Sequence, residues 1–424
     1  MKIAVIGTGI AGNVAAYHLC KQHDVSVFEA NDYVGGHTHT HDILWQDQRY
    51  AVDTGFIVFN YQTYPNFTAL LNELDVAVQP SNMSFSVKCE QTGLEYNGTT
   101  LNTLFAQRRN LFRPTFYRMI QDILRFNREA PMLLASPADD TSLGDFLFRG
   151  NYNRQFIEHY LVPMGAAIWS ADPQQMYQFP AQFFVRFLHN HGMLSVDDRP
   201  QWYVIKGGSQ CYVRKLMAPY ADRIRTGAQV EAVTRYPCHV QVKARGMEAE
   251  RFDAVFIAAH SDEALRMLTD ASADEQSVLG AIPYQRNEAV LHTDASVLPQ
   301  RRLAWAAWNY HILQQQQDRV ALTYNMNILQ SIQAPVQFCV TLNNSSAIAE
   351  DKILKRITYT HPVFTPEGVA AQTRQADING INRTYFCGAY WRFGFHEDGV
   401  VSSLNALQHF QDQQYAQLSL RRAG

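Results

Sequence analysis

The chain has 424 residues, enough for two or three domains with large hydrophobic cores. Its 36 lysines and arginines nearly balance 39 aspartates and glutamates, and the net charge of −3 gives no reason to expect a nucleic-acid partner. The six cysteines are scattered without a CxxC pair, and no apolar run is long enough for a transmembrane helix, so we expect a cytoplasmic protein without disulfides or a zinc site.

The first element is a short apolar strand, Met1–Ile6, which runs into a glycine-rich turn and then a predicted helix, Asn13–Gln22. The turn has glycine at positions 7, 9 and 12, the spacing of a GxGxxG motif. Such a turn lets the backbone approach a pyrophosphate, and the helix N-terminus presents free N–H groups to it. The start of the chain therefore predicts a dinucleotide site on Gly7, Gly9 and Gly12.

The next predicted strand, Asp24–Phe28, ends at Glu29, whose carboxylate can accept hydrogen bonds from ribose hydroxyls. Gly35 and Gly36 follow it. A carboxylate followed six residues later by a glycine pair resembles the extended nucleotide-binding motif of FAD enzymes of the glutathione-reductase superfamily. One branch of that superfamily usually has arginine after the pair, where this chain has His37. The resemblance favours FAD over NAD and implies an α/β, Rossmann-like domain.

The FAD-binding domain is predicted to be built from three segments, residues 1–59, 201–260 and 372–424. Each later segment contributes buried strand patterns, and the last continues into a helix predicted from Val400. The two insertions, residues 60–200 and 261–371, are predicted to form an α+β substrate domain. A second GxGxxG is absent from the sequence, so we expect electrons to enter from an organic substrate and not from NAD(P)H.

Together, the three segments resemble the flavin-containing amine oxidase family in the broad sense. The resemblance implies that a backbone amide at Val230 contacts adenine. It also implies that Gly388 and the helix after Gly399 direct N–H groups at the flavin. Glu397 or Asp398 could contact the ribityl chain, and the sequence does not choose between them. The full set of cofactor contacts predicted beyond Gly7 to Gly36 is His37, Gly55, Val230, Gly388, Glu397, Asp398, Gly399 and Val400.

A narrower resemblance rests on four stretches: Asp53–Asn60 followed by Thr63–Asn66, then Leu104–Arg109, Met164–Ser170 and Gly394–Gly399. They are similar to a bacterial group of FAD oxidoreductases and to the N-terminal region of plant cyclopropane fatty acid synthases. The resemblance implies a role in modified fatty-acid pathways, such as desaturation of methylated acyl chains.

The candidate catalytic residues lie between Tyr390 and Gly399, a stretch that mixes aromatic, histidine and carboxylate side chains. Aromatic residues at this place line the substrate face of the flavin in the broad family, and Trp391 is our candidate. His396 could act as a base near neutral pH, although it could also simply hydrogen-bond a loop.

Two further patterns have more than one interpretation. His37, His39 and His41 alternate along the chain, but no cysteine or carboxylate stands at ligand spacing, so a cofactor loop is favoured over a metal site. Arginines alternate with apolar residues from Arg108 to Arg128. This pattern fits a helix with a core face and a solvated face, or peripheral contact with a membrane.

The sequence leaves three functions open. The first is an FAD oxidoreductase that takes hydride from a C–H bond of a hydrophobic small-molecule or lipid substrate. The second is an amine oxidase that acts on a C–N bond. The third is a non-catalytic flavoprotein subunit of a lipid-modifying complex. The oligomeric state is not indicated.

Overall fold

The structure is a computed structural model that describes residues 1–135, 141–195, 199–315 and 318–423. Its strands, numbered in chain order, are β1 Lys2–Ile6, β2 Asp24–Phe28, β3 Thr40–Trp45, β4 Gln48–Asp53, β5 Val58–Asn60, β6 Val78–Ser81, β7 Phe85–Cys89, β8 Leu94–Asn97, β9 Trp202–Ile205, β10 Ile224–Arg225, β11 Val230–Tyr236, β12 His239–Ala244, β13 Glu250–Phe252, β14 Ala254–Ile257, β15 Tyr284–His292, β16 Trp308–Ile312, β17 Leu322–Asn325, β18 Cys339–Leu342, β19 Ile353–Pro362 and β20 Thr384–Phe386.

The α-helices, also in chain order, are α1 Ile10–Leu19, α2 Pro65–Glu73, α3 Leu101–Leu104, α4 Pro114–Glu129, α5 Leu143–Arg149, α6 Arg154–Phe156, α7 Val162–Trp169, α8 Ala181–Asn190, α9 Gln210–Met217, α10 Ser261–Met267, α11 Ala273–Leu279, α12 Met326–Leu329, α13 Pro366–Gln372, α14 Gln375–Ile378 and α15 His396–Ala423. A single π-helical turn, Ile157–Leu161, joins α6 to α7. Among the described residues, no helix has the length and apolar character needed to cross a bilayer.

A five-stranded sheet in the order β10-β2-β1-β14-β20 forms the base of the fold, and all its pairings are parallel. The strand order changes direction at β1, between β2 and β14. In open parallel sheets, ligands bind beyond the carboxyl ends of the strands at such a switch point. The glycine turn after β1 lies at this point. The strands come from the three segments assigned to the FAD-binding domain, and the α/β fold class predicted from the sequence is confirmed.

Both faces of this sheet are covered. One face packs against α1, α9 and α15 in a core that includes Val14, Tyr212 and Phe410. The other face packs against the β11-β12-β13 sheet, α10 and α11 in a second core around Phe252 and Leu279. Burial on both faces explains the nearly continuous apolar runs of β1 and β14.

A seven-stranded sheet in the order β19-β15-β18-β17-β16-β7-β8 draws its strands from both insertions. With helices α4 to α8 it encloses the largest core, which contains Phe116, Phe156, Phe184 and Phe338. This mixture of a sheet and helices is the α+β content expected for the insertions. The domain boundaries given above stay predictions.

Two helix starts differ from the sequence-based expectation. α1 begins at Ile10 and not Asn13, and α15 begins at His396 and not Val400. In α15, the Asp398 carboxylate accepts the Phe395 N–H and starts the helix before Gly399. Gly399 therefore lies inside the helix, where its missing side chain allows close packing on α1: a Cβ there would lie 2.6 Å from Ile10 Cγ2.

Candidate functional site: the cofactor crevice

The glycine turn after β1 combines two crowded glycines with one open glycine. Gly7 has a φ of +97°, and a Cβ on Gly12 would lie 1.9 Å from the Gly7 carbonyl oxygen. A Cβ on Gly9, by contrast, would meet no atom within 4 Å. Gly9 caps α1 without a side-chain hydrogen bond, so the helix N-terminus opens onto this space. The arrangement is a cradle for a phosphate group.

Glu29 lies at the end of β2, 5% exposed, and is already tied to the glycine turn. One carboxylate oxygen accepts the Thr8 N–H at 2.9 Å and the Thr8 hydroxyl, and the other accepts the Asn31 N–H at 2.8 Å and Asn31 Nδ2 at 2.9 Å. A carboxylate has about four acceptor positions. Ribose hydroxyls at Glu29 would therefore replace side-chain donors from Thr8 or Asn31.

The second glycine pair packs directly on the first turn. Gly35 and Gly36 have φ values of +129° and +58°, and a Cβ on Gly36 would lie 3.0 Å from the Gly9 Cα. A Cβ on Gly55 would lie 2.0 Å from the His37 carbonyl oxygen. The absence of side chains at these positions lets the loops pack closely on one another and on the glycine turn. Contact of these glycines with the cofactor stays a prediction.

His37 follows the pair and faces a group of rings that the sequence did not bring together. Its ring centroid lies 5.0 Å from Tyr359, 5.3 Å from His361 and 6.0 Å from His260. Burial lowers the pKa of His37 well below its usual value, so the ring is neutral. Its buried Nε2 has no hydrogen-bond partner within the described parts of the chain. An unpaired polar atom at this place fits a ligand group.

Val230 is the first residue of β11 and is 7% exposed. The chain just before it is joined to the end of β2, because the Ala228 N–H donates to the Glu29 carbonyl oxygen at 2.8 Å. Val230 therefore lies near the predicted ribose site. Its contact with adenine stays a prediction.

The backbone N–H groups of Gly388 and Gly399, which we expected to point at the flavin, donate hydrogen bonds within the protein. The Gly388 N–H donates to Ser402 Oγ at 2.8 Å, and the Gly399 N–H donates to the Phe395 carbonyl oxygen at 3.1 Å. Val400 is buried in the core beneath the parallel sheet. Because α15 begins at His396, its free N-terminal amides belong to the turn before Gly399.

The two candidate carboxylates of this turn also have protein partners. Glu397 accepts hydrogen bonds from Asn66 Nδ2 at 2.7 Å and from the backbone N–H groups of Asn66 and Phe67, so it caps the start of α2. Asp398 accepts the Phe395 N–H at 2.9 Å and lies 3.7 Å from Arg392 Nε. A ribityl contact from either one stays a prediction.

His396 is buried in a tight cage. Its Nε2 lies 2.7 Å from the Tyr212 hydroxyl and 3.1 Å from the Thr38 hydroxyl, and its ring stacks on Phe56 at 3.5 Å between centroids. Burial lowers its pKa to about 3. The base role of His396 stays a prediction, and this environment works against it because a ring with so low a pKa takes up a proton weakly at neutral pH.

The structure does not bring the two candidate catalytic residues together. Trp391 is 4% exposed and packs with Tyr390 in the core that includes Phe252, whereas the cage around His396 belongs to the core on the other face of the sheet. The Trp391 indole N–H is buried without a partner within the described residues. Its place beside the flavin stays a prediction.

A set of aromatic residues that the sequence did not connect lies against the loop before α15. Trp169 Nε1 donates to the Phe393 carbonyl oxygen at 3.1 Å. The ring of Phe183 lies 4.8 Å from Phe393 and 5.0 Å from Phe364, and Phe187 stacks on Phe395 at 5.0 Å. We call this set the aromatic wall; it consists of Trp169, Phe183, Phe187, Phe364, Phe393 and Phe395.

The sequence profile of the flavin containing amine oxidoreductase family matches residues 10–298, which is more than half of the chain. The chain belongs to this family. It is therefore an FAD-dependent oxidoreductase, and the cofactor expected from the glycine motif is confirmed. A comparison with curated protein sequences finds no match.

Solved structures agree with the family in fold. The chain is similar to putrescine oxidase, with 16% identity and a TM-score of 0.68 over 97% of this chain and 99% of the other. It is also similar to cyclohexylamine oxidase from Brevibacterium oxydans IH-35A, with 14% identity and a TM-score of 0.69 over the same shares. A fatty acid isomerase from P. acnes has 15% identity and a TM-score of 0.66, over 96% and 98% of the two chains.

The residues of this family member fit FAD. The open space at Gly9 suits the pyrophosphate, the end of β2 at Glu29 suits the ribose, and the unpaired His37 Nε2 offers a further polar contact. Among the described residues, no cluster of three or more histidine, cysteine or acidic side chains is placed to hold a metal ion.

A buried network holds the loop that carries Gly55. The Asp53 carboxylate accepts hydrogen bonds from the Ser209 N–H at 3.0 Å and its hydroxyl at 2.7 Å, and from Gln330 Nε2 at 2.7 Å. The network joins β4 to the start of α9 and the end of α12. Burial raises the pKa of Asp53 to about 6, against the effect of these hydrogen bonds. Nothing in the local sequence around Asp53 indicates these partners.

Asp398→Asn should flatten the pH dependence of stability between about pH 4 and pH 7. Burial raises the pKa of Asp398 from 3.8 to about 7, so the native state binds this proton more tightly than the unfolded chain. The free energy of unfolding therefore falls as pH rises through this window, by at most about 1.4 kcal/mol per pH unit. Urea unfolding of the flavin-free protein would measure the slope. The exposed Asp32→Asn is the control, and equal slopes for Asp398→Asn and wild type would contradict the prediction.

Proposed function

We propose that this protein takes hydride from a C–H bond of a hydrophobic substrate, with a modified fatty-acyl chain as the preferred class. The observation that carries the proposal is the aromatic wall. Its six members are all uncharged, and two of them, Phe393 and Phe395, belong to the loop that leads into the helix predicted to face the flavin. Trp169, Phe183, Phe187 and Phe364 are buried, and Phe393 and Phe395 are half-buried against this core. A substrate that reaches Phe393 or Phe395 would therefore meet apolar rings, which favour an acyl chain over a charged group.

The narrower sequence resemblance supports the same substrate class. The stretch Met164–Ser170, one of its four carriers, contributes Trp169 to the aromatic wall. The similarity to cyclopropane fatty acid synthases rests on these sequence motifs alone. We therefore propose the acyl substrate from the motifs and the wall together.

The protein's own residues would orient the reacting carbon and keep water out, while bound FAD accepts the hydride. Formation of a double bond also releases a proton, so a base is needed. His396 remains the candidate, and His396→Gln tests it. Unchanged flavin reduction in that variant would assign His396 to holding Phe56 against the start of α15.

An amine substrate is the second candidate, because the similar solved structures include putrescine oxidase and cyclohexylamine oxidase. Aromatic rings can bind a cationic amine through their faces. The two candidates differ in the effect of a carboxylate introduced into the wall. An acyl chain would strip it of water, which is unfavourable, whereas a cationic amine would be attracted to it.

Anaerobic mixing separates these candidates. Phospholipid with methylated or unsaturated chains should bleach the flavin absorbance of the wild type, and putrescine and cyclohexylamine should not. Phe393→Asp should slow bleaching by the lipid at least about tenfold, because it places a charge against the apolar chain. Mass spectrometry of the lipid should show a product that has lost two hydrogen atoms.

The matched control is Phe148→Asp, at an exposed phenylalanine on α5. It should leave bleaching unchanged, and thermal unfolding should confirm that both variants fold. Bleaching by the amines alone would replace the proposal with the amine candidate. Bleaching by neither class would favour the non-catalytic subunit.

A further inference from the structure

One part of the surface combines exposed apolar side chains with arginines. Phe112 is 86% exposed and Leu101 is 77% exposed. Exposed apolar side chains are informative where they form a patch and not where they stand singly. Leu111, Phe112, Tyr117 and Arg118 line one shallow depression at the start of α4, so this part of the set is contiguous. We call the set the basic apolar surface; it consists of Leu101, Arg108, Arg109, Leu111, Phe112, Arg113, Tyr117, Arg118 and Leu124.

Helix α4 shows why this is not an ordinary solvated face. Its core side is formed by Phe116, Met119 and Phe126, all buried. Its outer side exposes Tyr117 and Leu124 at helical spacing, together with Arg118, Gln121 and Arg128. A helix with a fully buried apolar face normally has polar residues opposite it. Here the outer side is part apolar and part basic.

The arginines of the basic apolar surface lack acidic partners. The sequence has no aspartate or glutamate from Tyr96 to Gln121, although the whole chain has a net charge of −3. Arg108 and Arg109 bond to neutral oxygens of Asn102, Phe105 and Gly93. None of the four arginines from Arg108 to Arg118 forms an ion pair with a described residue. The surface therefore carries uncompensated positive charge.

We propose that the basic apolar surface docks this protein on an anionic lipid bilayer as a peripheral contact. Aromatic and leucine side chains can enter the boundary between headgroups and acyl chains, while arginines beside them bind lipid phosphates. A second copy of the chain docked through the same surface would place arginines against arginines with no acidic residue of the surface to pair with them, which is unfavourable, whereas lipid phosphates supply the missing negative charge. The proposal does not depend on the substrate proposed above.

Flotation of the FAD-bound protein with lipid vesicles tests this surface. The protein should bind vesicles of phosphatidylcholine with phosphatidylglycerol, and should bind vesicles of phosphatidylcholine alone at least about tenfold more weakly. High salt should release the protein from the anionic vesicles. Phe112→Ser should reduce the partition coefficient about tenfold, because it removes one inserted ring. The double variant Arg113→Gln with Arg118→Gln should reduce it by about tenfold or more.

Matched controls come from other parts of the surface. Leu44→Ser removes a 64% exposed leucine from β3, and Arg245→Gln removes an arginine paired with Glu231; both should bind vesicles as the wild type does. Equal binding to neutral and anionic vesicles, or binding unaffected by the Phe112 and arginine variants, would overturn the proposal. A dimer in sedimentation that Phe112→Ser abolishes, without vesicle binding, would assign the surface to a second copy of the chain.

Discussion

Gly9→Val is expected to give a folded protein that no longer retains FAD. The backbone at Gly9 has φ −62° and ψ 179°, which valine adopts without strain, and the open space beside it leaves room for the side chain. That same space lies in front of the N-terminus of α1, where we place the pyrophosphate. The valine side chain would hold the phosphates away from the backbone N–H groups.

We expect FAD affinity to fall by about a hundredfold, equivalent to about 2.8 kcal/mol. Flavin content after purification and titration of FAD into the flavin-free protein would measure the loss, while far-UV circular dichroism would check the fold. Gly98→Val is the matched control, because a Cβ at Gly98 also meets no atom within 4 Å and this residue lies in a turn far along the chain from the glycine motif.

Gly12→Ala should behave in the opposite way. Its Cβ would lie 1.9 Å from the Gly7 carbonyl oxygen, so the variant should lose stability even without cofactor.

Full FAD binding by Gly9→Val would show that the pyrophosphate does not lie at this turn, and the placement of the cofactor would have to be revised.

Glu275→Ala is expected to have the largest effect on folding. The side chains of Arg235 and Glu275 are each 1% exposed, with Arg235 Nη2 2.8 Å from Glu275 Oε2. Asp270 accepts a hydrogen bond from Arg235 Nε at 2.8 Å but is itself 36% exposed. Loss of Glu275 leaves a buried guanidinium without its main partner, which costs about 3–5 kcal/mol. It also removes the capping hydrogen bond from the Ser272 N–H at the start of α11.

Urea unfolding of the purified protein would measure this loss. Replacement of both partners, Arg235→Met with Glu275→Leu, should recover most of the stability because no buried charge remains. The control is Glu231→Ala, which breaks an exposed pair with Arg245 and should cost about 1 kcal/mol or less. A loss of that small size for Glu275→Ala would show that water reaches Arg235 in solution.

Loss of this pair should also disturb β11, the strand that is predicted to contact the cofactor. Arg235 lies on β11, the strand that begins at Val230, and Glu275 lies on α11. If FAD contacts Val230 as predicted, the folded Glu275→Ala variant should bind FAD more weakly than the wild type, because the contact depends on the position of β11.

Several features of this protein follow from the sequence by itself. The strand–turn–helix unit and its glycines are determined locally, because the atoms that exclude a side chain at Gly12 belong to Gly7, five positions away. The apolar runs of β1 and β14 predict strands buried on both faces, and the sheet confirms this. FAD, in preference to NAD, followed from Glu29 and the glycine pair Gly35 and Gly36, through their resemblance to a known nucleotide-binding motif.

Only the tertiary structure decided the surroundings of the candidate catalytic residues. His396 meets Thr38, which is 358 positions away, and Glu397 caps a helix that begins 332 positions before it, at Pro65. The aromatic wall likewise joins α7, α8 and the loop before α15. Such contacts depend on how separate elements pack. The neighbours of a side chain then set its pKa and the hydrogen-bonding positions that it has free. A local sequence pattern therefore shows which groups are present but not what each one contacts.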